Sequence, residues 1–116
     1  MTASIPQLDF AFAALSDPTR RAILSRLAQS EATVMQLAAP FKITQPAISR
    51  HLKVLEGAGL IVRRVEGTKR PCRLSKAGIE AIDHWLEMLR GALEKNYERL
   101  DKVLEDMKPK KGKELR

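Results

Sequence analysis

The sequence predicts a mostly helical fold with one small β-hairpin and a long C-terminal helix. Apolar residues recur at helical spacing in the first 57 residues and again in residues 76–107. Between these stretches, residues 60–74 are β-prone around a glycine-containing turn. The chain of 116 residues, 44% hydrophobic and 30% charged, is typical of a single globular domain.

The composition also excludes several classes of protein. Cys72 is the one cysteine, so no internal disulfide and no cysteine-rich zinc cluster can form. The longest apolar runs, such as residues 10–15, are far shorter than the roughly 20 residues of a membrane span. Residues 1–9 lack the pattern of a secretory signal. With no catalytic dyad and no phosphate-binding glycine loop, we expect a cytoplasmic protein that is not an enzyme and does not meet a membrane.

Four short helices are predicted before the hairpin, and three of them begin at a recognisable cap. The first lies around residues 7–15. Asp17 caps the second, residues 18–28, with Pro18 in its first turn. Thr33 and Gln36 form a capping-box pattern for the third helix, which Pro40 ends. Thr44 caps the fourth, which continues to Glu56 or Gly57.

The third and fourth helices, separated by about four residues, indicate a helix-turn-helix. Residues 60–65 and 71–74 then form two strands around a turn at residues 66–69, with Pro71 suited to an edge. A hairpin in this position is a wing. The predicted architecture is therefore a winged helix-turn-helix followed by a long dimerisation helix.

The last helix is predicted to run from Lys76, after a cap at Ser75, to Met107. At 1.5 Å per residue it is about 45 Å long, which is more than the small domain of short helices before it can cover. Its apolar stripe therefore predicts a partner helix, most economically from a second copy. The stripe consists of Ile82, Leu86, Leu89, Leu93, Tyr97, Leu100, Leu104 and Met107.

Positive charge is concentrated in the helix-turn-helix and the wing. The net charge is +7, and residues 42–76 contain nine basic and two acidic residues. On the fourth helix, Ile48, Leu52 and Leu55 share the inward face. The opposite face carries the side chains that read bases and phosphates in double-stranded DNA. The predicted DNA contacts are Thr44, Gln45, Pro46, Ser49, Arg50 and Lys53, with Arg64, Lys69 and Arg70 from the hairpin.

Three blocks in this order resemble the ArsR family of bacterial winged helix-turn-helix repressors. They are ALSDPTRRAIL at residues 14–24, ITQPAISRHLKVLE at 43–56 and AGLI at 58–61. The resemblance implies a homodimer joined by its first and last helices, bound to an inverted-repeat operator and acting as a repressor. The interface residues expected on this basis are Leu8, Phe12, Leu86, Leu89, Leu93, Tyr97 and Leu100.

The sequence departs from the metal-sensing members of that family. Those members carry a Cys-x-Cys pair in the third helix, where this chain has Thr33 and Met35. Another family site uses Asp-x-His and a later His, whereas Asp83 and His84 are adjacent here and no later His follows. Metal sites need several such ligands. We therefore expect no metal and no cofactor, as in the branch of the family whose members include repressors of their own operons.

These observations assign residues 1–75 to the DNA-binding domain, 76–107 to the dimerisation helix and 108–116 to a basic, disordered tail. The expected function is sequence-specific transcriptional regulation, most simply promoter repression. Two alternatives stay open at this point. One is a winged-helix adaptor that binds an acidic protein, and the other is a redox-responsive repressor that uses Cys72.

Overall fold

The computed structural model describes the backbone of residues 5–107 and the side chains of residues 7–107. It confirms the mostly helical fold with one antiparallel hairpin. The elements are α1 (Ile5–Leu15), α2 (Pro18–Leu27), α3 (Val34–Ala38), a 3-10 turn (Ala39–Phe41), α4 (Gln45–Gly57), β1 (Ile61–Arg63), β2 (Cys72–Leu74) and α5 (Lys76–Met107).

Four of the five helices begin at a residue whose side chain caps the helix, as predicted. Each cap oxygen accepts a backbone N–H that the helix itself leaves unpaired. At α3, the Thr33 N–H also donates a hydrogen bond to Gln36 Oε1 at 2.8 Å, which completes the capping box. The caps are Asp17 to the Arg20 N–H at 2.9 Å, Thr33 to Gln36 at 3.3 Å, Thr44 to Ala47 at 3.2 Å and Ser75 to Gly78 at 3.2 Å.

The hairpin strands are shorter than predicted, with three residues each. β1 pairs with β2 in the register Ile61↔Leu74, Val62↔Arg73 and Arg63↔Cys72. Pro71 has no N–H to donate, so the regular ladder ends beside it. Its carbonyl still accepts from the Arg64 N–H at 3.1 Å.

The core combines residues from α1 to α4, the turns before α3 and after α4, and both strands. The chain divides into two compact units, Met1–Asp83 and His84–Arg116, and this core belongs to the first. In the second unit, the described side chains are mostly exposed. The largest fully buried side chains of the core are Ile23, Leu37, Ile48, Leu52, Leu55, Leu60, Ile61 and Cys72.

A backbone pairing that the sequence analysis did not foresee joins the hairpin to the segment before α3. The Ala32 N–H donates to the Cys72 carbonyl at 3.1 Å, and the Cys72 N–H donates to the Ala32 carbonyl at 2.8 Å. Both residues are buried. Because β2 is held on both sides, the base of the hairpin is fixed beside the start of α3.

Within residues 5–107, no helix combines the length and apolar character needed to cross a membrane.

The first turn of α5 packs against the turn that follows α4, at a close approach of two glycines. A Cβ atom added to Gly78 would overlap the carbonyl oxygen of Gly59 and lie 2.8 Å from its carbonyl carbon. Gly59 itself has φ +79°, a conformation that favours glycine.

We expect Gly78→Ala to lower the free energy of unfolding by about 2 kcal/mol or more, because the clash is with backbone that cannot rotate away. Gly91→Ala in the same helix is the matched control. Nothing lies within 4 Å of a Cβ at Gly91, so this change should stabilise by about 0.5–1 kcal/mol. Urea unfolding at one fixed protein concentration measures both, and effects of the same sign would contradict the close approach.

Candidate nucleic-acid interface

Helix α4 is oriented by a stripe of three aliphatic side chains. Ile48, Leu52 and Leu55 are each 0% exposed, as predicted from their spacing. Because a helix turns about 100° per residue, their burial directs the opposite face to solvent. On that face Gln45, Pro46, Arg50 and Lys53 are exposed, and Ser49 is half-buried.

The start of α4 is shaped by the turn that precedes it. The 3-10 turn after α3 is followed by Lys42, whose φ of 56° lies in the left-handed region and ends the helical turn. Thr44 then caps α4 while its side chain stays exposed. Pro46, in the first helical turn, has no N–H to leave unpaired. The helix therefore begins at the surface with its polar face open to a ligand.

Four exposed cations of α4 and the hairpin have no anionic partner among residues 7–107. In the part of the chain that the structure describes, no carboxylate lies within ion-pair distance of Arg50, Lys53, Lys69 or Arg70. Their positive charge is therefore not neutralised within residues 7–107. Such uncompensated charge attracts a polyanion and binds it at a salt-dependent affinity.

Arg64 differs from the other predicted contacts. Its Nη1 forms an ion pair with Glu31, and its Nη2 lies 3.6 Å from an oxygen of Glu66. Two carboxylates thus compete for this guanidinium. Sequence reasoning had no signal for the pair with Glu31, which lies 33 residues away along the chain.

His51 links α4 to the start of α2 through side chains. Its Nδ1 lies 3.3 Å from Arg20 Nη1 and 3.9 Å from Asp17 Oδ2. Arg20 in turn donates through Nε to the Ala14 carbonyl at 2.8 Å. The hydrogen bond from the backbone N–H of Arg20 lowers the pKa of Asp17, against a smaller opposing effect of burial. The half-buried ring of His51 is thus paired with two side chains at the start of α2.

Cys72 lies in the core at 0% exposure. Burial raises the pKa of its thiol, and the nearby Arg63 guanidinium offsets this only in part. A buried thiol with a raised pKa has little reactive thiolate. The structure therefore gives no support to the redox alternative.

Among residues 7–107, no three His, Cys, Asp or Glu side chains come together as a candidate metal site.

The side chains expected at a dimer interface fall on α1 and α5. On α1, Leu8 is half-buried and Phe12 is partly exposed. The five on α5 lie in the second unit and are all exposed: Leu86, Leu89, Leu93, Tyr97 and Leu100. An apolar row of this length is unusual on a helix that has no partner.

A helix-turn-helix with an outward cationic face, followed by a basic hairpin, defines a winged-helix DNA-binding protein. Comparison with known proteins agrees: residues 17–62 match the family described as "Bacterial regulatory protein, arsR family". The chain belongs to the ArsR family, whose members are DNA-binding transcriptional regulators and not enzymes.

Individual relatives support this assignment over more of the chain. The HTH-type transcriptional regulator Rv2034 of Mycobacterium tuberculosis is 45% identical over 74 residues, which are 64% of this chain and 69% of the relative. The arsenical resistance operon repressor of Staphylococcus xylosus is 30% identical over 86 residues, 74% of this chain and 83% of the relative. The crystal structure of an ArsR family transcriptional regulator, RHA00566, matches with a TM-score of 0.73 and 38% identity, over 81% of this chain and 97% of that one.

Proposed function

We propose that this chain is a homodimeric promoter repressor that binds an inverted-repeat operator in double-stranded DNA. The observation that carries the proposal is the exposed face of α4, which presents hydrogen-bonding and cationic side chains with no anionic partner among the described residues. Its function would be exercised in the cytoplasm, where the genomic DNA of a bacterium is found.

In this proposal α4 reads the bases in the major groove. Arg50 is suited to bind guanine through two hydrogen bonds, Gln45 is suited to adenine, and Ser49 accepts either partner. Thr44 and Lys53, at the edges of the same face, are suited to phosphate. Pro46 contributes to DNA binding by fixing the start of α4 and by apolar contact with the DNA.

The hairpin adds contacts to the DNA backbone. Lys69 ends the Glu66–Lys69 turn and Arg70 follows it. Both are exposed and have no carboxylate partner within residues 7–107. They suit phosphates beside the adjacent minor groove. Arg64 must first leave Glu31 and Glu66, so it should contribute less than the other two.

Dimerisation would set the distance between two copies of α4. Leu86, Leu93 and Leu100 are seven residues apart, the repeat of a helix that packs along a partner helix. Two recognition helices about 34 Å apart would face successive major grooves of one side of the duplex. A dimer at a promoter excludes polymerase, and at its own promoter it would limit its own synthesis.

The signal that releases this repressor is proposed not to be a metal ion. Thr33 and Met35 occupy the start of α3 in place of the cysteines of the metal-sensing branch. A hydroxyl and a thioether are poor replacements for thiolates, which supply the charge and softness that arsenic and zinc sites require.

Arg50→Ala should weaken operator binding and relax base preference, because it removes a base-reading group. Lys69→Ala should weaken binding to all sequences about equally and flatten the salt slope by about one unit. Lys95→Ala removes the same charge from an exposed site on α5 and is the control. It should change neither the affinity for DNA nor the salt slope. Gel-shift titrations use DNA selected by the wild-type protein, with scrambled DNA for comparison.

Equal losses on selected and scrambled DNA for Arg50→Ala would contradict the reading role of α4. Failure of the wild-type protein to enrich any sequence from a random duplex pool would contradict the proposed function as a whole.

The double variant Leu93→Gln/Leu100→Gln should dissociate the dimer and reduce operator binding, because it places two amides in the apolar row. The control is Glu98→Gln/Glu105→Gln, which introduces the same residues on the opposite face of α5. Sedimentation equilibrium measures the assembly and a gel shift measures the binding. A dimer unaffected by the first double variant would remove α5 from the interface.

A further inference from the structure

A small cavity lies where the first turn of α3 meets the hairpin. Its volume is about 260 Å³. Strand β1, the hairpin turn and the start of α3 all contribute to its wall. The lining residues are Thr33, Val34, Met35, Arg63, Thr68, Lys69 and Arg70.

Arg63 gives the cavity a buried positive charge. Its side chain is only 17% exposed, and its Nε and Nη2 atoms are buried without a hydrogen-bond partner among the described residues. Among the described residues, Glu56 forms an ion pair with it, 3.5 Å from Nε, and is itself half exposed. Because that carboxylate is partly solvated, it compensates the positive charge only in part, so a further anion near this guanidinium would be stabilised.

The other lining residues extend this preference in two directions. Lys69 and Arg70 add two cations, and Thr33 and Thr68 add hydroxyls that can donate. Val34 and Met35 supply an apolar wall, and Met35 is 68% exposed although no function assigned above uses it. None of the described residues that line the cavity carries a carboxylate. The combination suits a molecule with an anionic head and an apolar body.

We propose that this cavity binds a small organic anion, a carboxylate or phosphate monoester with an apolar body, as an effector of DNA binding. The regulatory part rests on the proposed function, because Lys69 and Arg70 are the cations proposed above to contact DNA phosphates. An anion bound between them and Arg63 neutralises that charge and competes with the duplex, so it weakens operator binding. A phosphate of the DNA backbone has no apolar body for Val34 and Met35, which favours the small molecule.

Binding is measured first on the free, full-length protein by following backbone amide signals in NMR titrations. The probes are benzoate and phenyl phosphate, and neutral benzamide is the control. Saturable shifts at Thr33, Met35 and Thr68 with an anion, and none with benzamide, are expected. If neither anion binds saturably at millimolar concentration, or if benzamide binds as well, the proposal is overturned.

Two variants locate the site. Met35→Glu places a carboxylate at the exposed apolar wall without disturbing the core, and it should weaken anion binding at least about tenfold. Met88→Glu, at an exposed position on α5, is its control. Arg63→Gln should have a similar effect, with Arg73→Gln on β2 as the exposed control. Unchanged binding in Met35→Glu would overturn the assignment, whether or not Arg63→Gln folds.

A gel shift on the selected operator, with and without saturating anion, tests the effector role. The expected result is lower operator affinity with the anion and no change with benzamide. Anion binding without loss of operator affinity overturns the effector role. If the protein binds no DNA but still binds the anion, the proposed function fails while the site stands; if it binds DNA but no anion, the reverse holds.

Discussion

The burial of one stripe on α4 is the constraint on which the rest of this molecule depends. Ile48, Leu52 and Leu55 are completely enclosed, and burying each contributes about 1.5–3 kcal/mol to folding. Since the helical period is fixed, burial of this stripe determines which side chains face outward. Stability and the proposed recognition of DNA thus depend on one orientation: the buried stripe fixes the helix in the core, and the opposite face exposes Gln45 and Arg50.

Ion pairs and hydrogen bonds separate the cations proposed to contact DNA from those that are paired within the protein. Arg20 donates to backbone carbonyls, and Arg64 is paired with Glu31 and Glu66. Arg50 and Lys53 have no such partner within residues 7–107. A protein that leaves cations unpaired on one face accepts their mutual repulsion, and a polyanion that binds there relieves it. Net charge alone would not have separated these two groups.

The features that the sequence predicted correctly are those that local patterns determine. The caps at Asp17, Thr33 and Thr44 and the inward stripe of α4 depend on residues within one or two helical turns. The pairing of Ala32 with Cys72 and the ion pair between Arg64 and Glu31 join distant parts of the chain, and no local signal marks them. The cavity at Arg63 went unpredicted for the same reason, since it exists only where α3 and the hairpin meet. The roles assigned to the individual DNA-contacting residues stay predictions.

In the proposed complex, a dimer holds two copies of α4 on one side of the duplex, about one helical turn apart. The most direct test measures affinity for operators in which the distance between the half-sites is changed. Inserting about five base pairs, half a helical turn, rotates one half-site to the far side of the DNA and should reduce binding to the level of scrambled sequence. Inserting a full turn, about ten base pairs, restores the side but not the distance and should recover little. Equal affinity at every spacing would show that the two helices bind independently, and it would contradict the proposed arrangement of the dimer on DNA.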